Sequence, residues 1–152
     1  MSESGKSNIE YDQSQLPLDS DSFARVLENV REGVFMAITE LEYFEEAMAR
    51  RNDSEMQKHS MICLEDFSEL LEKIDTDIHH PSDLDKLFKD HAFREEFFIV
   101  VKGIKKYNFI GILEDVVKKE DLGSPDNNII LGVLRNHLKR AEYYRAAYGK
   151  SN

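Results

Sequence analysis

The spacing of large apolar residues predicts that most of the chain is α-helical. From about residue 21 onward these residues recur at every third or fourth position, which is the period of an amphipathic helix. A first stripe follows possible N-cap residues at 19–22 and ends near Arg51, and a second runs from Asp53 to the His-His-Pro sequence at 79–81. Two long helices are therefore expected in the first half of the chain.

The second half contains shorter stripes. A short segment at 82–88 with Ser82 or Asp83 as its cap precedes a third helical region at 93–117, whose phase shifts near Tyr107 predict either two helices or one bent helix. A final helix is expected to begin at Pro125, after a stop at Gly123 and a cap at Ser124. Its stripe contains Ile130, Leu134, Leu138, Ala141 and Tyr148, widened by Val133, His137 and Tyr144. Strand-like alternation is missing, so the sequence predicts an all-α bundle of four or five helices.

The segment before these stripes is different in composition. Residues 1–20 contain few large apolar side chains and carry acidic charge, so we expect a flexible acidic tail followed by a single helical domain at 21–149. Ile9, Tyr11 and Leu16 leave open the alternative that this tail folds on a partner.

Composition narrows the class of protein. A chain of 152 residues that is 41% hydrophobic has the size and core material of one domain. Its longest apolar run, at 97–101, is too short for a membrane helix, and the polar N-terminus predicts no secretory signal. Cys63 is the single cysteine, so no internal disulfide is possible, and a reducing, cytoplasmic location is expected.

The net charge of −10 is unevenly distributed along the chain. Residues 53–80 carry −6, whereas residues 123–152 carry +3. At 100° per residue, Glu65, Glu69 and Glu72 project away from the apolar stripe of the second helix. This acidic row is interpreted either as a solvated face or as a docking surface for a basic partner.

Two pairs of acidic residues suggest an alternative chemistry. Glu42-x-x-Glu45 and Glu72-x-x-Asp75 resemble the paired carboxylate helices that hold Mg²⁺ in the all-α nucleoside-triphosphate pyrophosphatases. The resemblance covers these four positions and implies a Mg²⁺-dependent hydrolase. Helical spacing, however, turns Glu72 outward, whereas a Mg²⁺ site needs carboxylates that converge.

Histidine and cysteine add weaker candidates. His79 follows Asp75 by four residues, which is suitable spacing for two metal ligands on one helix face, but a histidine at a helix C-terminus also complements the helix dipole. His59 and His137 lack the Lys-Gly pair that usually follows a phosphoaccepting histidine. Cys63 lies within its stripe and is expected to pack in the core. We therefore predict no metal site and no cofactor.

Several apolar residues fall outside the stripes, which leaves open whether they extend the core or form a contact surface. These residues are Phe35, Met36, Tyr43, Met61, Ile62, Phe98, Ile99 and Ile129.

The leading hypothesis is a helical protein-protein interaction module of the adaptor, inhibitor, immunity or chaperone-like kind. Its predicted contact residues are Glu65, Glu69, Glu72, Phe98 and Ile99. The expected partner is another protein with a basic surface, and a homodimer is the alternative. We expect no membrane partner. Nucleic acid is not expected either, because the short basic stretch at the C-terminus belongs to a strongly acidic chain.

Overall fold

The computed structural model describes residues 16–120 and 125–149, and within these ranges it is all-helical and compactly packed. The predicted fold class is thus confirmed. The described residues form six helices: α1 (Ser20–Ala49), α2 (Asp53–Asp77), α3 (Pro81–Lys89), α4 (His91–Lys106), α5 (Phe109–Glu120) and α6 (Pro125–Tyr148).

The number of helices differs from the predicted four or five, because two short breaks divide the region after Pro81. Asp90 ends α3 and also caps α4, where its carboxylate accepts a hydrogen bond of 3.0 Å from the Phe93 N–H. Asn108 has a φ of 52°, a left-handed conformation that an α-helix cannot contain, and it separates α4 from α5. The third helical region is therefore two helices.

The start of α3 also differs from the prediction. His80 is the N-cap, with its ring nitrogen Nδ1 accepting a hydrogen bond from the Ser82 N–H. Asp83 is buried, and one of its carboxylate oxygens accepts a hydrogen bond of 2.8 Å from the Leu18 N–H. Leu18 packs against the core, so the described part of the chain joins the domain before α1 begins. The remainder of the predicted tail, residues 1–15, lies outside the described residues, as do Gly123 and Ser124.

Helices α1 and α2 form an antiparallel pair, the most extensive helix contact in the fold. Arg51, with a φ of 56°, reverses the chain, and the Asn52 side chain caps α2. Gly33 allows the close approach that this pair requires, because a Cβ there would lie 3.3 Å from a methyl carbon of Leu70. The glycine inside the first stripe thus lies at a tight helix contact.

The core is richest in aromatic side chains where α3 and α4 meet the C-terminal half of α6. Phe88 contacts the rings of Phe93, Phe97 and Tyr144, and it stacks on Tyr148 with ring centroids 4.7 Å apart. Buried rings contribute large apolar areas, so this end of the bundle is closed.

Candidate functional site

An apolar groove of about 590 Å³ lies between α2, α5 and α6. We call it the α2–α6 groove. Its apolar lining consists of Met61, Ile62, Leu64, Leu113, Ile129, Ile130, Val133 and Leu134. Its polar lining consists of Lys58, Glu65, Ser68, Glu69 and Glu72.

The predicted acidic row forms the edge of this groove. Glu65, Glu69 and Glu72 are all exposed on α2 and all line it. Glu69 follows Glu65 by four residues and Glu72 follows Glu69 by three. Since one helical turn is 3.6 residues, the three carboxylates lie along one side of the helix. The structure therefore combines on one surface a line of negative charge and a set of apolar side chains.

Beyond the acidic row, the surface continues into a second depression of about 380 Å³. It is lined by Glu69, Glu72, Lys73, Thr76 and Asp77, so it shares two glutamates with the groove. The two depressions are therefore continuous along α2: the first is mainly apolar and the second is polar, with an excess of carboxylates.

Helices α2 and α6 run parallel beside the groove. Ser68 Oγ lies 2.9 Å from His137 Nδ1, and further along both helices the Arg140 guanidinium pairs with Asp75 at 2.8 Å. Both contacts advance in the same direction along the two helices. The basic last helix therefore packs beside the acidic second helix, and the Arg140–Asp75 pair joins the two.

Negative charge is crowded along this part of α2. Burial is the main cause that raises the pKa of the half-buried Asp66 to about 6, and the neighbouring carboxylates of Glu40, Glu69 and Glu65 raise it further. Bringing carboxylates together disfavours their ionised forms. A positive group bound at Glu65 and Glu69 would relieve part of this repulsion.

The other two predicted contact residues lie elsewhere. Phe98 on α4 is half-buried, with its ring packed near Phe88 and Phe97, and Ile99 is exposed on the same helix. Neither residue lines the α2–α6 groove. The structure therefore brings Glu65, Glu69 and Glu72 to one site but does not add Phe98 and Ile99 to it.

Two groove residues, Ile130 and Val133, were assigned by periodicity to the core stripe of the last helix. In the structure 52% of Ile130 and 41% of Val133 is exposed. Met61, Ile62 and Ile129 fell outside the stripes, and all three line the groove. Three of the apolar residues outside the stripes, which the sequence left open between core and contact surface, thus line this groove.

The residues of the hydrolase hypothesis are dispersed. Glu42 is exposed on α1, and Glu45 accepts a hydrogen bond of 2.7 Å from the Tyr107 hydroxyl, which contributes to a raised pKa of that phenol. Asp75 is paired with Arg140, and Glu72 lines the groove. Within residues 16–120 and 125–149, no group of three or more His, Cys, Asp or Glu side chains, His79 included, has an arrangement that suits a metal ion.

The remaining histidine and cysteine candidates have structural contacts. His59 lies between two carboxylates, with Nδ1 2.6 Å from Glu40 and Nε2 3.0 Å from Glu55. Cys63 is buried, and burial raises the pKa of its thiol to about 12, so the nucleophilic thiolate form is strongly disfavoured. Burial and the nearby Arg140 cation lower the pKa of the half-buried His137.

Comparison of the sequence with models of known protein families finds no match, and neither do comparisons with curated proteins and with solved structures. In the described part of the chain, no helix has the length and apolar character needed to cross a bilayer. The function is therefore inferred from the chain's own residues.

Proposed function

We propose that this protein is a protein-protein interaction module that binds a basic, amphipathic segment of another protein in the α2–α6 groove. The observation that carries this proposal is that Glu65, Glu69 and Glu72 edge the same groove that exposes Ile129, Ile130 and Val133. Such a module would act as an adaptor, an inhibitor, an immunity protein or a chaperone-like protein.

The apolar side chains supply the binding energy in this proposal. Burying exposed apolar surface gains about 25 cal/mol per Å², and interface energy is concentrated in a few central residues. Ile129, Ile130 and Val133 are β-branched, so they lose little side-chain entropy when a partner covers them. These three residues would contact the apolar face of the bound segment.

The carboxylates supply orientation and steering. A row of like charges beside an apolar groove attracts a segment of opposite charge and discourages acidic competitors. Burial is the main cause of the raised pKa of Asp66, but the carboxylates of Glu69 and Glu65 raise it further, which is consistent with negative charge at the same part of α2. A bound Lys or Arg would compensate that charge.

The test is a titration of the full chain with a helical peptide that has an apolar stripe and four lysines, monitored by NMR. We expect salt-sensitive shifts at Ile62, Ile130 and Val133. Reversing Glu65, Glu69 and Glu72 to Lys should weaken binding about tenfold or more, since each pair that is lost is worth up to about 1 kcal/mol and is replaced by repulsion. Helical content should stay unchanged, because all three side chains are exposed.

A matched control reverses three other exposed glutamates. Glu28, Glu32 and Glu46 lie on α1, outside the groove lining, and their reversal makes the same change in net charge. The control variant should bind the peptide almost as wild type does. Equal losses in both triple variants, or shifts that avoid the groove, would contradict the proposal.

The Mg²⁺-dependent hydrolase remains a second hypothesis that rests on the spacing of Glu42, Glu45, Glu72 and Asp75. It is tested by release of pyrophosphate from nucleoside triphosphates with and without Mg²⁺. The positions of these four carboxylates add no support to it.

A further inference from the structure

We propose that the segment bound in the α2–α6 groove is a helix of about five turns that runs antiparallel to α2, with its basic residues in its N-terminal half. This inference rests on the proposed function and adds the direction and the charge pattern of the ligand. Three features of the described residues carry it: the parallel course of α2 and α6, the polarity of the groove, and its length.

Helix dipoles set a preferred direction. The Ser68–His137 and Asp75–Arg140 contacts show that α2 and α6 are parallel. The positive N-terminal ends of both helix dipoles therefore lie at one end of the groove, and the negative C-terminal end of α2 lies at the other end. A third helix lying between them has its dipole opposed to both when it runs antiparallel. Its positive N-terminus then lies towards the C-terminal end of α2.

The side chains give the groove the same polarity. Lys58 lines the end nearest the start of α2, whereas Glu65, Glu69 and Glu72 follow towards the other end. The second depression adds Asp77, with Lys73 as the one cation among the described residues that line it. Negative charge therefore accumulates in the direction in which the ligand's N-terminus is expected, and basic residues in that half of the ligand would be attracted.

The length follows from helix geometry. From Lys58 to Asp77 the two depressions extend over twenty residues of α2, and the nineteen steps between the first and the last of them correspond to about 28 Å at 1.5 Å per residue. A ligand helix of about 18 residues covers this distance. Its C-terminal half would lie over Met61, Ile62 and Ile130, and its N-terminal half over the carboxylates.

Charge argues against an occupant from within this chain. Residues 1–15 carry three acids and one base, so the acidic row would repel them. In a second copy of the chain, the positive charge would come from the basic stretch at 123–152. Two arginines of that stretch are already paired within their own copy, Arg135 with Glu114 and Arg140 with Asp75. A basic helix from a different protein is thus the occupant that the charges favour.

The experiment uses two hydrocarbon-stapled 18-residue peptides with the same composition and the same apolar stripe. One has four lysines in its N-terminal half and the other has them in its C-terminal half. Both are acetylated and amidated so that their ends are uncharged, and the staple equalises their helicity. We expect the first to bind the full-length chain about tenfold more tightly, and Glu69→Gln with Glu72→Gln to bring this ratio close to one.

Orientation is read directly with a spin label. Cys63 is buried, so Thr76→Cys supplies one accessible thiol at the acidic end of the surface, and Lys58→Cys supplies one at the other end. The label at position 76 should broaden NMR signals from the N-terminal residues of the bound peptide. The label at position 58 should broaden signals from its C-terminal residues.

The outcomes separate this inference from the proposed function. Equal or reversed affinities with shifts still in the groove would overturn the antiparallel orientation and leave the interaction module standing. Failure of both peptides to bind would overturn both proposals. A stable dimer in light scattering that Glu69→Lys dissociates would overturn the external ligand in favour of a second copy.

Discussion

The two halves of α6 pack very differently. In the C-terminal half, Ala141 and Tyr144 are buried, and Tyr148 stacks on Phe88 while its hydroxyl donates a hydrogen bond to Asp85. In the N-terminal half, Ile129 and Ile130 are mostly exposed, although they are as apolar as the residues that are covered. One helix therefore closes the bundle at one end and leaves a groove at the other.

The two halves of α6 differ in the side chains that fill the space beside the helix. Aromatic rings from α3, α4 and α6 fill the space at the closed end. The N-terminal half of α6 has Gly132, where an added Cβ would meet no neighbouring atom of the described residues within 4 Å. Gly132 contributes no side chain to this space, so the surface beside it stays open. The open half is consequently the part of the molecule where an external side chain can complete the packing.

The largest expected effect comes from removing a ring at the closed end. Phe97 is fully buried against Phe67, Phe88 and Phe93, so Phe97→Ala should lower the free energy of unfolding by about 3–5 kcal/mol. Ile130→Ala, its counterpart in the open half, should cost less than about 1 kcal/mol. Urea denaturation of both variants measures the two values, and similar losses would contradict the contrast between the halves.

A smaller effect with opposite signs is expected at two helical glycines. A Cβ at Gly103 would lie 2.7 Å from methyl carbons of the buried Leu41, so Gly103→Ala should destabilise the fold by about 1 kcal/mol after its gain in helix propensity. At Gly132 the space is open, and Gly132→Ala should stabilise the fold by up to about 1 kcal/mol. Thermal unfolding of the two variants measures the sign of each change in stability. A lower stability of Gly132→Ala would show that the space around Gly132 is filled.

The smallest effect depends on pH and concerns the charge beside the groove. The pKa of Asp66 is raised from 3.8 to about 6 in the folded protein, so the folded state holds this proton more tightly than the unfolded state does. This contribution to stability is present below pH 3.8 and is lost as pH rises through about 6. Asp66→Asn should therefore raise the melting temperature more at about pH 7.5 than at about pH 5, and an equal change at both would refute the raised pKa of Asp66.

Periodicity predicted the helices well because burial of one face is a local property of the sequence. It also turned Glu65, Glu69 and Glu72 outward, as the structure has them. It could not show that Ile130 is uncovered, since a stripe looks the same whether or not another helix packs on it. The breaks at Asp90 and Asn108 depend on a single cap and a single left-handed residue, which the apolar spacing alone does not resolve.

Contacts at α3 bring the two ends of the described chain to one place. Leu18 is held by Asp83, and Tyr148 by Asp85 two residues further along the same short helix. Tyr148 follows Ile129 by nineteen positions along α6, a distance of about 28 Å. A tether attached at Leu18 or at Gly149 would thus lie far from the apolar part of the groove, and a short linker joining these two residues would suit a circular permutant with new ends at the turn around Arg51.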